Sequence, residues 1–185
     1  MNPILIETGL TGAIGTGMVF VESGLAKLRY RELVPGVVAN YRLLPEIMVS
    51  PVAKALPIVE LVLGLGLISS VLTGGGLRLL AMPAAALFIL FASAMAINIQ
   101  RGRQAIDCGC GRSQLRQPLS WSLVVRNLML AALVACHALP LAADQALTPL
   151  EIALAVVTGT ALFGLFALFN ALAALSASPL ASGRR

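Results

Sequence analysis

Two of the chain's three cysteines, Cys108 and Cys110, are separated only by Gly109, inside the run Asn98-Ile99-Gln100-Arg101-Gly102-Arg103-Gln104-Ala105-Ile106-Asp107-Cys108-Gly109-Cys110-Gly111-Arg112. Thiols at i and i+2 stand near the limit of disulfide reach, and joining them closes a small, strained ring. Strain makes such a bond easier to reduce, so the pair suits exchange better than stapling. Gly109 and Gly111 can take the backbone angles that the turn needs. Arg101, Arg103 and Arg112 favour the thiolate, which is the nucleophile, and Asp107 opposes them. Two rival uses of these residues stay open. Two thiolates could hold a soft ion such as Cu(I). Zinc would want two further ligands, and the one histidine, His137, is far along the chain. The pair could also be inert loop cysteines. The reading adopted makes Cys108 and Cys110 the catalytic residues and assigns no metal and no cofactor.

The elements that must position this pair are apolar. Of 185 residues, 58% are hydrophobic and 11% charged, and the mean hydropathy is +0.92. A soluble domain carries about a quarter charged residues, so this chain cannot coat a water-facing surface. The class expected is an all-α integral membrane protein, a single transmembrane domain over residues 1–185 with the lipid bilayer as its partner. The net charge of +5 sits at the ends of apolar segments, where it meets lipid headgroups, and does not point to nucleic acid. An odd cysteine count excludes a closed disulfide framework.

Spans are expected at about residues 4–25, 52–72, 77–99, 120–139 and 150–175, with the Cys-Gly-Cys loop over residues 100–119. The first is too long for a secretory signal and lacks a basic start. In it Thr8, Gly12, Ala13 and Gly17 offer small surfaces for close helix approach. Residues 28–50 read as an amphipathic segment at the interface, with Tyr30 and Tyr41 at headgroup level. Pro57 predicts a kink. Ser120 is a candidate N-cap and Trp121 an interface anchor. The chain has no internal repeat, P-loop, dinucleotide glycine fingerprint or metalloprotease motif.

Alternation of spans puts Glu22, Glu60, Asn98 and Arg126 in the same half of the bilayer, under the Cys-Gly-Cys loop. An unpaired charge there costs about 3 kcal/mol or more, so Arg126 is expected to pair with Glu22 or Glu60. These four form a supporting polar cluster, either a structural ion pair or a polar floor beneath reactive thiols. The same charges admit a small-molecule or ion transporter. The basic loop admits a non-catalytic adaptor that docks a partner. Cys136 should lie roughly 24 Å along an ideal helix from Ser120, as a small hydrophobe out of reach of the pair. His137 is expected at the interface.

The stretch Met18-Val19-Phe20-Val21-Glu22-Ser23-Gly24-Leu25-Ala26-Lys27-Leu28 resembles the end of the first span in DoxX-like proteins, as do Ala39-Asn40-Tyr41-Arg42-Leu43-Leu44-Pro45 and Leu56-Pro57-Ile58-Val59-Glu60-Leu61. Adding Arg101-Gly102-Arg103 and Ile106-Asp107-Cys108-Gly109-Cys110-Gly111 narrows the resemblance to the MauE family of redox-associated membrane proteins, over most of residues 15–130. It implies a DoxX-like four-helix transmembrane bundle, here with a fifth, C-terminal span and the interfacial segment. It also implies a multi-pass protein of the bacterial inner membrane needed for maturation of periplasmic methylamine dehydrogenase. Cys108 and Cys110 would exchange disulfides with a thioredoxin-like partner of the MauD type, acting on the disulfide-rich small subunit of that enzyme. Glu22, Glu60 and Arg126 would support them. Whether the chain is itself a thiol-disulfide oxidoreductase is left open. The charge count points the other way on orientation. Lys27, Arg29, Arg31, Arg42, Lys54, Arg101, Arg103, Arg112, Arg116, Arg184 and Arg185 share the loop's face, and Arg78 alone marks the opposite one. The positive-inside rule puts that face in the cytoplasm, whereas a periplasmic client would want the cysteines outside.

Overall fold

A computed structural model describes residues 3–74, 76–106, 118–139 and 147–176. Among them the regular structure is helical, with no strand. The order is α1 (Pro3–Arg29), α2 (Val34–Asn40), α3 (Glu46–Leu72), a 3-10 turn at Arg78–Leu80 that leads into α4 (Ala81–Gln100), α5 (Trp121–His137) and α6 (Pro149–Ser176). Helices α1, α3 and α6, and α4 with its leading turn, are long and apolar enough to cross a membrane. Helix α5 has 17 residues, roughly 25 Å at 1.5 Å per residue, the short end of the spanning range. The chain therefore forms the all-α membrane bundle that its composition requires.

Helix α1 is the hub, packed against α3, α5 and α6, while α4 lies along α5. Lipid tails are as apolar as leucine, so membrane helices associate through close packing. Glycines supply that closeness. A Cβ on Gly12 would stand 2.5 Å from the Leu133 carbonyl oxygen of α5, and one on Gly64 of α3 would stand 2.7 Å from the Gly17 carbonyl oxygen. Gly159 of α6 fits against Ile14 in the same way, 2.6 Å from its Cβ. Thr11 and Thr158 join α1 to α6 by a 2.7 Å hydroxyl hydrogen bond. Phe20 of α1 stacks on Phe88 of α4 with ring centroids 4.4 Å apart.

Three local features differ from expectation. Helix α3 begins at Glu46 and runs through both Pro51 and Pro57, so of the segment expected at the interface only the short α2 and its flanks lie outside α1 and α3. A membrane helix can hold prolines because neighbouring elements re-satisfy the freed carbonyls. Ser120 stands at the N-cap of α5 without a side-chain cap, its hydroxyl bonding instead to the Ser122 hydroxyl at 2.8 Å. His137, expected at the interface, is enclosed by protein, 2% exposed, its Nε2 3.0 Å from Ser70 Oγ. Gly9, whose Cβ would meet the His137 backbone at 3.1 Å, lets the end of α5 close on α1.

Two helix ends are firmly built. Thr148 and Glu151 form a reciprocal capping box at α6, the carboxylate accepting from the Thr148 backbone N–H at 2.7 Å and Thr148 Oγ accepting from the Glu151 N–H at 3.3 Å. Helix α4 ends in a Schellman motif: Gly102 has φ +72°, its N–H bonds to the Ile99 carbonyl at 3.0 Å and the Arg103 N–H to the Asn98 carbonyl at 2.9 Å.

Gly64→Ala is expected to destabilise the protein by about 1–3 kcal/mol through overpacking against backbone. Gly36→Ala, which meets nothing within 4 Å, should change stability by no more than about 0.5 kcal/mol. Thermal unfolding of both variants in nanodiscs checks the contrast.

Candidate functional site

At the end of the bundle where α1 and α4 finish and α3 and α5 begin, the helices part around a cavity of about 800 Å³. Helix α2 covers one side. Ala105, Ile106 and Pro118, which flank the undescribed Cys-Gly-Cys segment, also line it. Cys108, Cys110 and Arg112 lie outside the described residues.

Glu60 forms part of the cavity wall with no exposed surface. Its carboxylate accepts from Lys27 Nζ at 2.8 and 2.9 Å and from Ser23 Oγ at 3.3 Å. Lys27 Nζ also donates to Ser23 Oγ at 2.6 Å, so all three ammonium hydrogens have acceptors. The ammonium lies 5.9 Å from the centroid of Phe91. Ser23 and Lys27 share a face of α1 because four residues make about one helical turn. Glu22, one residue earlier, is turned by about 100° into a separate groove beside Met18, Ile68 and Phe163.

This arrangement corrects the expected pairing of Arg126. Glu60 pairs with Lys27, and Arg126 has no carboxylate partner among the described residues. Its Nη1 donates to Asn170 Oδ1 of α6. Its guanidinium lies over Phe166 and Phe169, 4.7 and 5.6 Å from the centroids, a cation–π setting that offsets part of the cost of the charge. Helix α6 supplies all three partners.

Asn98 is buried but belongs to neither group. Its Nδ2 donates to the Ala94 carbonyl at 3.0 Å and its Oδ1 accepts from Arg103 Nη1 at 3.0 Å. Arg103 also reaches the last turn of α2, donating to the Asn40 carbonyl at 2.7 Å and the Tyr41 carbonyl at 3.4 Å. The Schellman end of α4 aims this side chain. Next to it the Leu119 N–H donates to the Gln104 carbonyl at 2.9 Å, which joins the two legs of the loop at its base. Arg101 is exposed. Cys136 lies in the last turn of α5, half-buried, its Sγ 3.3 Å from the Ala132 carbonyl.

The structure thus brings Glu60 and Arg126 to one cavity, ties Asn98 to Arg103 and sets Glu22 apart. Sequence reading missed Ser23, Lys27 and Asn170. The spacing of Ser23 and Lys27 was the available signal for the first two.

Residues 5–142 match the family described as Methylamine utilisation protein MauE. The chain is 42% identical over 167 residues to a protein named Methylamine utilization protein MauE from Paracoccus denitrificans, covering 89% of this chain and 87% of that one. A protein of the same name from Methylorubrum extorquens is 42% identical over 127 residues, 68% of this chain and 66% of that one. Another from Methylophilus methylotrophus is 44% identical over 108 residues, 58% of this chain and 52% of that one. No solved structure matches. The family match ends before α6, which carries the partners of Arg126.

Lys27→Met strands a fully buried carboxylate and should cost about 3–5 kcal/mol, whereas Glu60→Leu leaves an ammonium whose side chain is 12% exposed and can turn toward the headgroups, and should cost less. The double variant Lys27→Met plus Glu60→Leu should recover most of the Lys27→Met loss, because no unpaired charge remains. Thermal unfolding of the three variants checks the cycle.

Proposed function

This chain belongs to the MauE family, and from that membership we propose that it is a thiol-disulfide exchange component of methylamine utilisation, embedded in the bacterial inner membrane. Cys108 and Cys110 are the exchanging pair. The partner is a thioredoxin-like protein of the MauD type, and the client is the disulfide-rich small subunit of methylamine dehydrogenase.

The observation that carries this reading is the Cys-Gly-Cys sequence in a loop whose legs are joined at Gln104 and Leu119. Exchange needs thiols that a partner can reach in a setting that favours thiolate, and the Schellman end of α4, the Arg103 contacts and the Gln104–Leu119 hydrogen bond fix where the loop leaves the bundle. In the step proposed, one thiolate attacks a sulfur of the partner's disulfide. A mixed disulfide forms and the partner's other sulfur leaves as thiolate. The second cysteine, as thiolate, then attacks the mixed disulfide, closing Cys108–Cys110 and releasing the partner as a dithiol. Two electrons pass from the pair to the partner, and the reverse sequence passes them back. Glu60 and Lys27 hold the floor of this end of the bundle and Arg103 holds the loop's entry. Transport has less support, because its cluster is divided: Glu60 is engaged by Lys27 and Glu22 faces another groove.

Replacing the resolving cysteine, Cys108→Ser or Cys110→Ser, should trap a covalent complex with the thioredoxin-like partner on a non-reducing gel and abolish accumulation of active methylamine dehydrogenase. Cys136→Ser should do neither. No trapped band and normal enzyme levels in both loop variants would sink the reading, and would favour a docking role for the loop.

Exchange with a periplasmic client also places the loop outside, against the charge asymmetry. In intact cells of a Cys136→Ser strain, reduced with dithiothreitol and washed, a membrane-impermeant maleimide should label Cys108 and Cys110. Complete protection after reduction, relieved when the membrane is permeabilised, would put the pair on the cytoplasmic side and exclude direct exchange with that client.

A further inference from the structure

Among the described residues, the cavity holds one charge that no carboxylate answers. Of the described charged groups lining it, Lys27 and Glu60 cancel each other. Arg126 is left, with no carboxylate partner among the described residues. A guanidinium has five N–H donors and no acceptor. One nitrogen, Nη1, bonds to Asn170, and Nε is buried with no hydrogen-bond partner. Phe166 and Phe169 face the cation but accept no conventional hydrogen bond. A buried donor left unmade is costly, and so is an uncompensated charge at membrane depth.

The rest of the wall fixes what kind of group can answer that charge. Phe20, Phe88, Phe91 and Met95 line the cavity along with the aliphatic side of α2. A small hydrophilic anion would gain the guanidinium and leave this surface bare. Arg126 lies five residues past Trp121, roughly 7–8 Å along the helix, within reach of the headgroup level that the half-exposed Trp121 marks. A molecule with its head at Arg126 can therefore keep an apolar tail inside the bundle.

We propose that the cavity between α1, α2, α3, α4 and α5 binds an anionic amphiphile, its carboxylate or phosphate oxygens held by Arg126 and its hydrocarbon chain by the aromatic wall. A phospholipid headgroup and a free fatty acid share this chemistry. The site is independent of the thiol reaction: binding should be unchanged in a Cys108→Ser plus Cys110→Ser protein, and can hold or fail whatever becomes of the exchange reading.

The test uses full-length protein, delipidated in a non-ionic detergent and examined by native mass spectrometry with three added probes: dioleoylphosphatidylglycerol, oleate and dioleoylphosphatidylcholine. The expected result is retention of an anionic probe in preference to the zwitterionic one, weakened roughly tenfold or more in Arg126→Gln, the loss expected for a charge-assisted hydrogen bond. Retention of phosphatidylglycerol alone identifies a lipid phosphate as the ligand, and retention of oleate alone a fatty carboxylate. Ala94→Phe, which intrudes into the cavity and leaves Arg126 in place, should also weaken retention of the probe, and it carries the test if Arg126→Gln does not fold. Equal binding of phosphatidylcholine, anionic binding indifferent to Arg126→Gln, or a probe retained undiminished by Ala94→Phe would overturn the proposal.

Discussion

A charge inside a membrane must find a partner or leave, and the Lys27–Glu60 pair is how this bundle meets that constraint. The Glu60 carboxylate has no exposed surface, so the ammonium of Lys27 is obligatory for its charged form. Because one residue sits on α1 and the other on α3, the pair also sets which faces of those helices meet at this end. Further along the same seam Gly17 and Gly64 bring the backbones together. Breaking the pair would leave the glycine seam without its polar terminus and one charge without compensation.

The cavity follows from the same arrangement. Lys27 and Glu60 occupy the wall between α1 and α3, Arg126 leans toward α6, and the α4 wall of Phe88, Phe91 and Met95 stays apolar. Helix α2 lies over the opening because Arg103, aimed by the Gly102 turn, takes the carbonyls of Asn40 and Tyr41. The loop's first leg, α2 and the end of α4 are therefore one mechanical unit. Movement of the loop base would be felt by α2 and by the cavity beneath it. This gives Arg103 a positioning role that its charge alone does not suggest.

Helix α6 is a working part of the site rather than an appended span. It packs on α1 through Gly159 and the Thr11–Thr158 hydrogen bond, and from that position presents Asn170, Phe166 and Phe169 to Arg126. The α6 residues satisfy the guanidinium only in part, one acceptor and two ring faces, and leave Nε idle.

Composition alone determined that this chain is a helical membrane protein, because 11% charged residues cannot solvate its surface. Hydropathy placed the spans, and the small residues Gly12 and Gly17 marked where α1 would be approached. The identity of the cysteine pair and of the intramembrane charges was also legible, since each is a polar interruption in an apolar run. Pairing was not. Depth in the bilayer follows from counting residues, but the partner of Glu60 depends on helix phase and on which helix stands opposite. Glu22 and Ser23 lie at nearly the same depth and face different grooves, and Lys27, at the edge of the span, passes in sequence for an interface anchor. Arg126 met Asn170 rather than a carboxylate because α6 packs against α1, a contact between segments more than a hundred residues apart that no local pattern encodes. The tertiary structure decided these matters because hydropathy records how deep a residue lies, whereas an ion pair needs two side chains within about 4 Å.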